Sequence, residues 1–149
     1  MKKFVQNKLK DQKGMTLIEL LAVIVIIAII AAIAIPAIGN IIENSRVGAA
    51  KSDALNAMSA AELYLADNPT ATTVTAITEL EDGYLDDAGT LTAFTYTPGT
   101  GGAAATMTGT AIVDGGIEIT FGTGTTKENI SDFPNNSTAA VGPIGITGR

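Results

Sequence analysis

The chain of 149 residues contains no cysteine and no histidine. Without thiols no disulfide can staple the fold, even for a domain that leaves the cytoplasm. The usual transition-metal ligands and the commonest general base are missing too. There is no Walker-type loop, no nucleophile elbow and no carboxylate pair at a recognisable spacing. The chain is therefore expected to be no enzyme and to take no cofactor.

Basic residues are nearly absent beyond the first fourteen positions. Lys2, Lys3, Lys8, Lys10 and Lys13 against Asp11 give that segment a net +4, and the whole chain stands at −6. Residues 15–149 therefore carry −10, from four basic and fourteen acidic residues. Such a surface repels DNA and anionic lipid, so no direct nucleic-acid binding is expected.

What the chain does have is one long apolar block. From Leu20 to Ile38 nineteen residues carry neither a charge nor a side-chain hydrogen-bonding group. As a helix they rise about 28 Å, one hydrocarbon core. The lysines ahead of the block predict an N-terminus inside and everything after about Asn40 outside. The length of 149 residues leaves room for one further domain. A secretory signal peptide is the competing reading, since "AIAIPA" offers small residues at cleavage spacing. Its apolar core is longer than the usual ~7–15 residues, and Pro36 falls inside the cleavage region. A plain signal anchor, with Glu19 at the head of the block sitting merely at the headgroup level, explains the block and the lysines but leaves the local "KGMTLIE" pattern as an accident. A carboxylate drawn into hydrocarbon costs roughly 2.5–3.5 kcal/mol on insertion scales.

Beyond the block the pattern turns amphipathic. Val47, Ala50, Ala54, Met58, Ala61 and Leu65 recur at three- and four-residue steps and predict the core face of a helix. Asn44, Lys51, Ser52, Asp53, Asn56 and Ser59 fall mostly off that stripe. Asp67-Asn68-Pro69 ends it, because the residue before proline disfavours the helical region. One helix from Thr16 to about Ala66 would run about 75 Å. Pro36 removes a backbone donor and Gly39 adds looseness, so Ala28–Gly39 is a candidate kink. Ala28, Ala31, Ala32, Ala34 and Ala37 let neighbouring helices approach closely.

Downstream, "VTAITELEDGYL" predicts a short helix capped by Thr75, with Ile77 and Leu80 inward and Gly83 closing it. Glu79, Glu81, Asp82, Asp86 and Asp87 form a solvated acidic stretch around it. Phe94 and Tyr96 share a face of "LTAFTYT". "TAIVDGGIEITF" reads as a hairpin turning at Asp114-Gly115-Gly116, with Ile117, Ile119 and Phe121 on one side. Residues 122–149 are rich in Gly, Thr, Asn and Pro and read as irregular, with one edge strand at most. Asp132, Asn135 and Asn136 are weak calcium candidates by oxygen chemistry, against the simpler reading of a polar turn. Asn129-Ile130-Ser131 and Asn136-Ser137-Thr138 match the N-glycosylation pattern, which by itself carries little weight.

Lys13-Gly14-Met15-Thr16-Leu17-Ile18-Glu19-Leu20-Leu21 resembles the class III signal sequence of bacterial type IV pilins and pseudopilins. The resemblance implies that a prepilin peptidase cuts between Gly14 and Met15 and methylates the new N-terminus at Met15. Glu19 is then the fifth mature residue and Pro36 the twenty-second, both in family register. Met15 in place of the commoner phenylalanine, and a leader of fourteen residues, weaken subclass assignment but not the resemblance. Cleavage would create an amine four residues from the Glu19 carboxylate and on the same helical face.

The resemblance covers residues 13 to about 68. It implies an α+β fold, with a long N-terminal α-helix packed on a small antiparallel sheet of three or four strands. The segments follow as a cleaved basic leader (1–14), a hydrophobic transmembrane and polymerisation helix (15–40), its amphipathic half (41–68) and an exported globular domain (69–149). The function implied is a structural subunit, a major pilin assembling into a homopolymeric filament. Its partners would be the prepilin peptidase, an inner-membrane assembly platform and the assembly ATPase. Before assembly the subunit would sit in the cytoplasmic membrane, and afterwards in an extracellular pilus. The alternatives are a pseudopilin of a type II secretion or DNA-uptake system, and a membrane-anchored binding domain for which Gly14 and Glu19 are dispensable. A conductive filament is set aside, because no aromatic residue lies between Phe4 and Tyr64.

Overall fold

Helix α1 (Leu17–Asp67) is the longest element, and the chain divides into two compact units, Met1–Gly39 and Asn40–Arg149, to each of which it contributes. The computed structural model describes residues 15–113, 116–138 and 140–148. The leader lysines, Asp11 and Gly14 lie outside the described residues, as do Asp114 and Gly115 of the expected hairpin turn.

In the first unit α1 is helical across Pro36 and Gly39. Every large apolar side chain from Leu17 to Ile38 is exposed, Ile35 at 69%. A helix that is apolar all round belongs in lipid or among neighbours rather than in water. This one is long and apolar enough to cross a membrane.

In the second unit the same helix becomes one-sided. Val47, Ala50, Ala54, Met58 and Ala61 are fully buried, Ala57 and Ala60 join them, and Leu65 packs at the edge. The helix supplies mainly small residues to this core and the sheet supplies most of the large ones. Asn68 ends α1 by donating both its backbone N–H and its side-chain amide to the Tyr64 carbonyl, each at 2.9 Å. That satisfies a carbonyl the helix itself leaves open.

Strands β1 (Leu91–Thr97), β2 (Thr106–Val113), β3 (Ile117–Thr125) and β4 (Ile144–Thr147) form an antiparallel meander in that order. Phe94 and Tyr96 face the core, as do Ile117, Ile119 and Phe121. Val113 pairs with Ile117 across the hairpin, and Gly116 takes φ +79° at the turn. Together with the stripe of α1 these side chains make one hydrophobic core. The layout is α+β and pilin-like.

Two local expectations are corrected. The segment after Val74 forms only a three-residue 3-10 helix, Ile77–Glu79, and Thr75 does not cap it. Instead the Glu79 carboxylate accepts from the Thr75 hydroxyl at 2.8 Å and from the Thr75 and Ala76 N–H groups at 3.0 Å. A carboxylate gathering three donors tightens the chain into a turn. Leu80 is nonetheless buried and Ile77 packs against the core. The C-terminal region is also less irregular than expected, because it holds α2 (Lys127–Asp132) before β4. Thr126 Oγ1 accepts from the Asn129 N–H at 3.2 Å, while Asn129 Oδ1 accepts from the Thr126 N–H at 3.0 Å. This is a reciprocal cap with asparagine in place of the commoner Glu or Gln.

Polar side chains then tie α1 to the sheet. Asp53 Oδ2 accepts from the Thr90 N–H and hydroxyl, both at 2.8 Å. Gly89 beside it has φ +60°, and a Cβ there would collide with the Asp53 carboxylate. Buried Tyr96 donates its hydroxyl to Glu62 Oε1 at 3.2 Å, and Lys127 pairs with Glu62 Oε2 at 2.8 Å. Burial first, and then the Glu62 charge and hydrogen bond, push the Tyr96 phenol up to about 12. A raised folded value means that this contribution is whole below the ordinary phenol value of about 10 and is lost as pH rises through about 12. Phenolate absorbance from Tyr96 is therefore expected to appear together with loss of circular-dichroism signal in that window. Tyr96→Phe should lessen the alkaline instability. Titration of Tyr96 near 10 in the folded chain would defeat this reading.

Candidate functional site

Met15 and Thr16 lead into α1, and Glu19 lies in its first turn. The Glu19 carboxylate folds back over the start of the helix. Its Oε2 accepts from the Thr16 N–H and from the Thr16 hydroxyl, both at 2.8 Å. The Thr16 hydroxyl oxygen in turn accepts from the Glu19 N–H at 3.3 Å. The Thr16 carbonyl accepts the first helical bond, from Leu20 N–H at 3.1 Å. Thr16 is thus the N-cap and Glu19 its reciprocal partner, a capping box that satisfies two donors the helix leaves open. The partial positive charge of the helix start further favours the carboxylate.

This arrangement changes how Glu19 is understood. The sequence places it four residues from the amine that cleavage at Met15 would create. In the single chain it already has donors, and Thr16 supplies them. Thr16 is the residue that sequence reasoning overlooked, although "TLIE" carries the S/T-x-x-E signature in plain view. Both residues are exposed, so the pair is open to exchange with a better partner.

The other candidates lie elsewhere. Pro36 sits inside α1, and a Cβ added at Gly39 would meet nothing within 4 Å. Asp132 ends α2 with its side chain exposed, and Asn136 is exposed beyond it. Asn135 Oδ1 accepts from Lys51 Nζ at 3.1 Å. Among the described residues no group of three acidic, His or Cys side chains gathers to hold a metal. Of the three weak calcium candidates, Asn135 has its oxygen engaged by the Lys51 ammonium, while Asp132 and Asn136 stand exposed.

Residues 9–35 match the prokaryotic N-terminal methylation motif. The chain carries the class III signal of type IV pilins and pseudopilins. The match covers the leader's end, the capping box and most of the apolar block, and it stops before the folded domain. No curated protein and no solved structure matches the chain significantly. A pilin-type motif implies processing by a prepilin peptidase and assembly into a filament in general terms, and the apolar helix is consistent with membrane anchoring.

The capping box makes a local prediction. In the full chain in detergent, Thr16→Val should weaken the first turn by about 1 kcal/mol, roughly a fivefold faster amide exchange at Glu19 and Leu20. Thr16→Ser should keep wild-type protection. Equal exchange in all three chains would mean that the cap contributes nothing.

Proposed function

We propose that this chain is a structural subunit, a major pilin that polymerises through α1 into a type IV pilus. The observation that carries the reading is one carboxylate at the head of a helix whose apolar half exposes every large side chain, inside a motif that marks peptidase processing. Such a helix needs lipid before assembly and other helices afterwards.

The proposed sequence of events follows from charge. The lysine-rich leader holds Gly14–Met15 at the cytoplasmic face of the membrane. There Glu19 rests on its own capping box, which lowers the cost of placing a carboxylate at the head of the span. Cleavage leaves a cationic amine at Met15, so each helix now carries one charge of each sign near its start. In the filament, Glu19 of one subunit reaches the Met15 amine of a neighbour and exchanges neutral donors for a full charge. Charge-assisted hydrogen bonds are about twice as strong as neutral ones. Misregistered packing leaves both charges in a low-dielectric core, so the pair selects axial register more than it adds net stability.

Two outcomes are expected. The mature chain should begin with N-methylated Met15, and a bulky residue at Gly14 should block the cut. Intact mass of the membrane form measures this, and a chain that retains Met1 or starts near Ala37 would overturn the processing step. The second outcome concerns assembly. Glu19→Ala should still be inserted and cleaved yet give at least tenfold less sheared filament per cleaved subunit, about 1.4 kcal/mol or more. Glu19→Asp should recover part of the yield. Wild-type filament from Glu19→Ala would make the residue a mere interfacial anchor. Long surface filaments seen by electron microscopy would favour a pilus over a short secretion pseudopilus.

A further inference from the structure

The loop after α2 aims three oxygens at one point. Lys51 Nζ lies 3.1 Å from the Ser131 carbonyl, 2.6 Å from the Phe133 carbonyl and 3.1 Å from Asn135 Oδ1. An ammonium has three N–H donors and no acceptor, so three oxygens satisfy it completely. Ser131 lies in the last turn of α2 and Phe133 directly follows that helix, where backbone carbonyls lack helical partners and favour a cation. Asp132 adds its own attraction, which works against the burial that pulls the Lys51 ammonium below its ordinary value.

A second contact lies one turn earlier on the same face of α1. A Cβ at Gly48 would come within 3.0 Å of Asn135 Nδ2, so the bare glycine leaves room for that amide. Asn135 is thus seated on Gly48 and held by Lys51, three residues on. The loop is fastened to the helix at two adjacent points, just ahead of the stretch that leads to β4.

We infer that Lys51 is the resident cation of this loop, fastening residues 131–135 to α1 in place of a metal ion or a disulfide. The Asn135 side-chain oxygen and the Ser131 and Phe133 carbonyls, which could otherwise serve a cation from solvent, are taken by the ammonium. A dication beside that charge would meet direct repulsion from it. The chain has no cysteine to serve instead. The exported domain therefore holds its C-terminal loop without metal and without oxidation.

The test is thermal unfolding of the full chain in detergent, with hydrogen exchange over residues 131–138. Wild-type melting should be the same in a chelator and in millimolar calcium. Lys51→Met should lower the midpoint by about 4–8 °C and speed exchange selectively in the loop. Asn135→Ala should do the same to a smaller degree, and the double variant should fall short of the sum because both act on one contact. If Lys51→Met fails to fold, Asn135→Ala with the calcium series still decides the matter. A wild-type midpoint raised by calcium and lowered by chelation would overturn the inference, as would unchanged melting and exchange in both variants. An intact mass short by one ammonia would overturn it too, by showing a Lys51–Asn135 amide bond.

Discussion

Backbone hydrogen bonding within α1 is what lets one element serve two solvents. In hydrocarbon every N–H and C=O must be satisfied internally, and a helix does this everywhere except at its ends. The N-terminal end is served by Thr16 and Glu19, and the C-terminal end by Asn68. Between them the side chains are free to change character without disturbing the backbone. They are apolar all round to Ile38 and one-sided from Val47 onward. Pro36 is the exception, since it has no N–H to give the Ala32 carbonyl. It is placed where the side chains around it are small or aliphatic, so packing rather than sequence-local bonding decides how that gap is met.

The folded domain solves a different difficulty, holding itself together without covalent links. Its helix face is mostly alanine, and its bulk comes from Tyr96, Phe121, Met107 and Ile119 of the sheet. Alanine contributes little area but permits close approach, and the larger partners then bury fully. Three polar clips surround that core: Asp53 on Thr90, Glu62 on Tyr96 and Lys127, and Lys51 on the loop after α2. The Lys127–Glu62 pair alone is exposed at 40% and 47% and adds little by itself. Its use is geometric, since Glu62 joins α1, β1 and the start of α2 through one carboxylate.

Periodic features of this fold were legible in the sequence. The buried stripe follows from three- and four-residue spacing, and Phe94, Tyr96, Ile117, Ile119 and Phe121 follow from alternation. What escaped has physical causes. Lys51 and Asp53 read as solvent-facing because they lie off the apolar stripe, but their partners stand 37 to 84 residues away, where no local pattern reaches. Residues 75–79 have the composition of a helix start, yet only Ile77–Glu79 is helical, with Glu79 collecting three donors from Thr75 and Ala76. Helix α2 was hidden by a cap built from threonine and asparagine, both common in loops. Thr16 is a different case, since its S/T-x-x-E signature lies in the sequence itself and its partner is only three residues away.

The proposed assembly turns on what differs between bilayer and filament. Lipid tails are as apolar as leucine, so moving α1 from one to the other yields no hydrophobic gain. Close packing at Ala28, Ala31, Ala32, Ala34 and Ala37 is one remaining term. Repulsion is another: each processed subunit carries −10, with Glu81, Asp82, Asp86, Asp87, Glu118 and Glu128 on its exposed surface. At physiological salt that repulsion is screened within about 8 Å, which confines it to the nearest outer domains. Packing among small residues is tolerant of slips along the helix axis, and screened repulsion carries no register at all. A single carboxylate and a single amine per helix are not tolerant, because either is costly when left alone in hydrocarbon. In the proposed filament the apolar helix and the alanines would make association possible, and Glu19 would decide which association is kept.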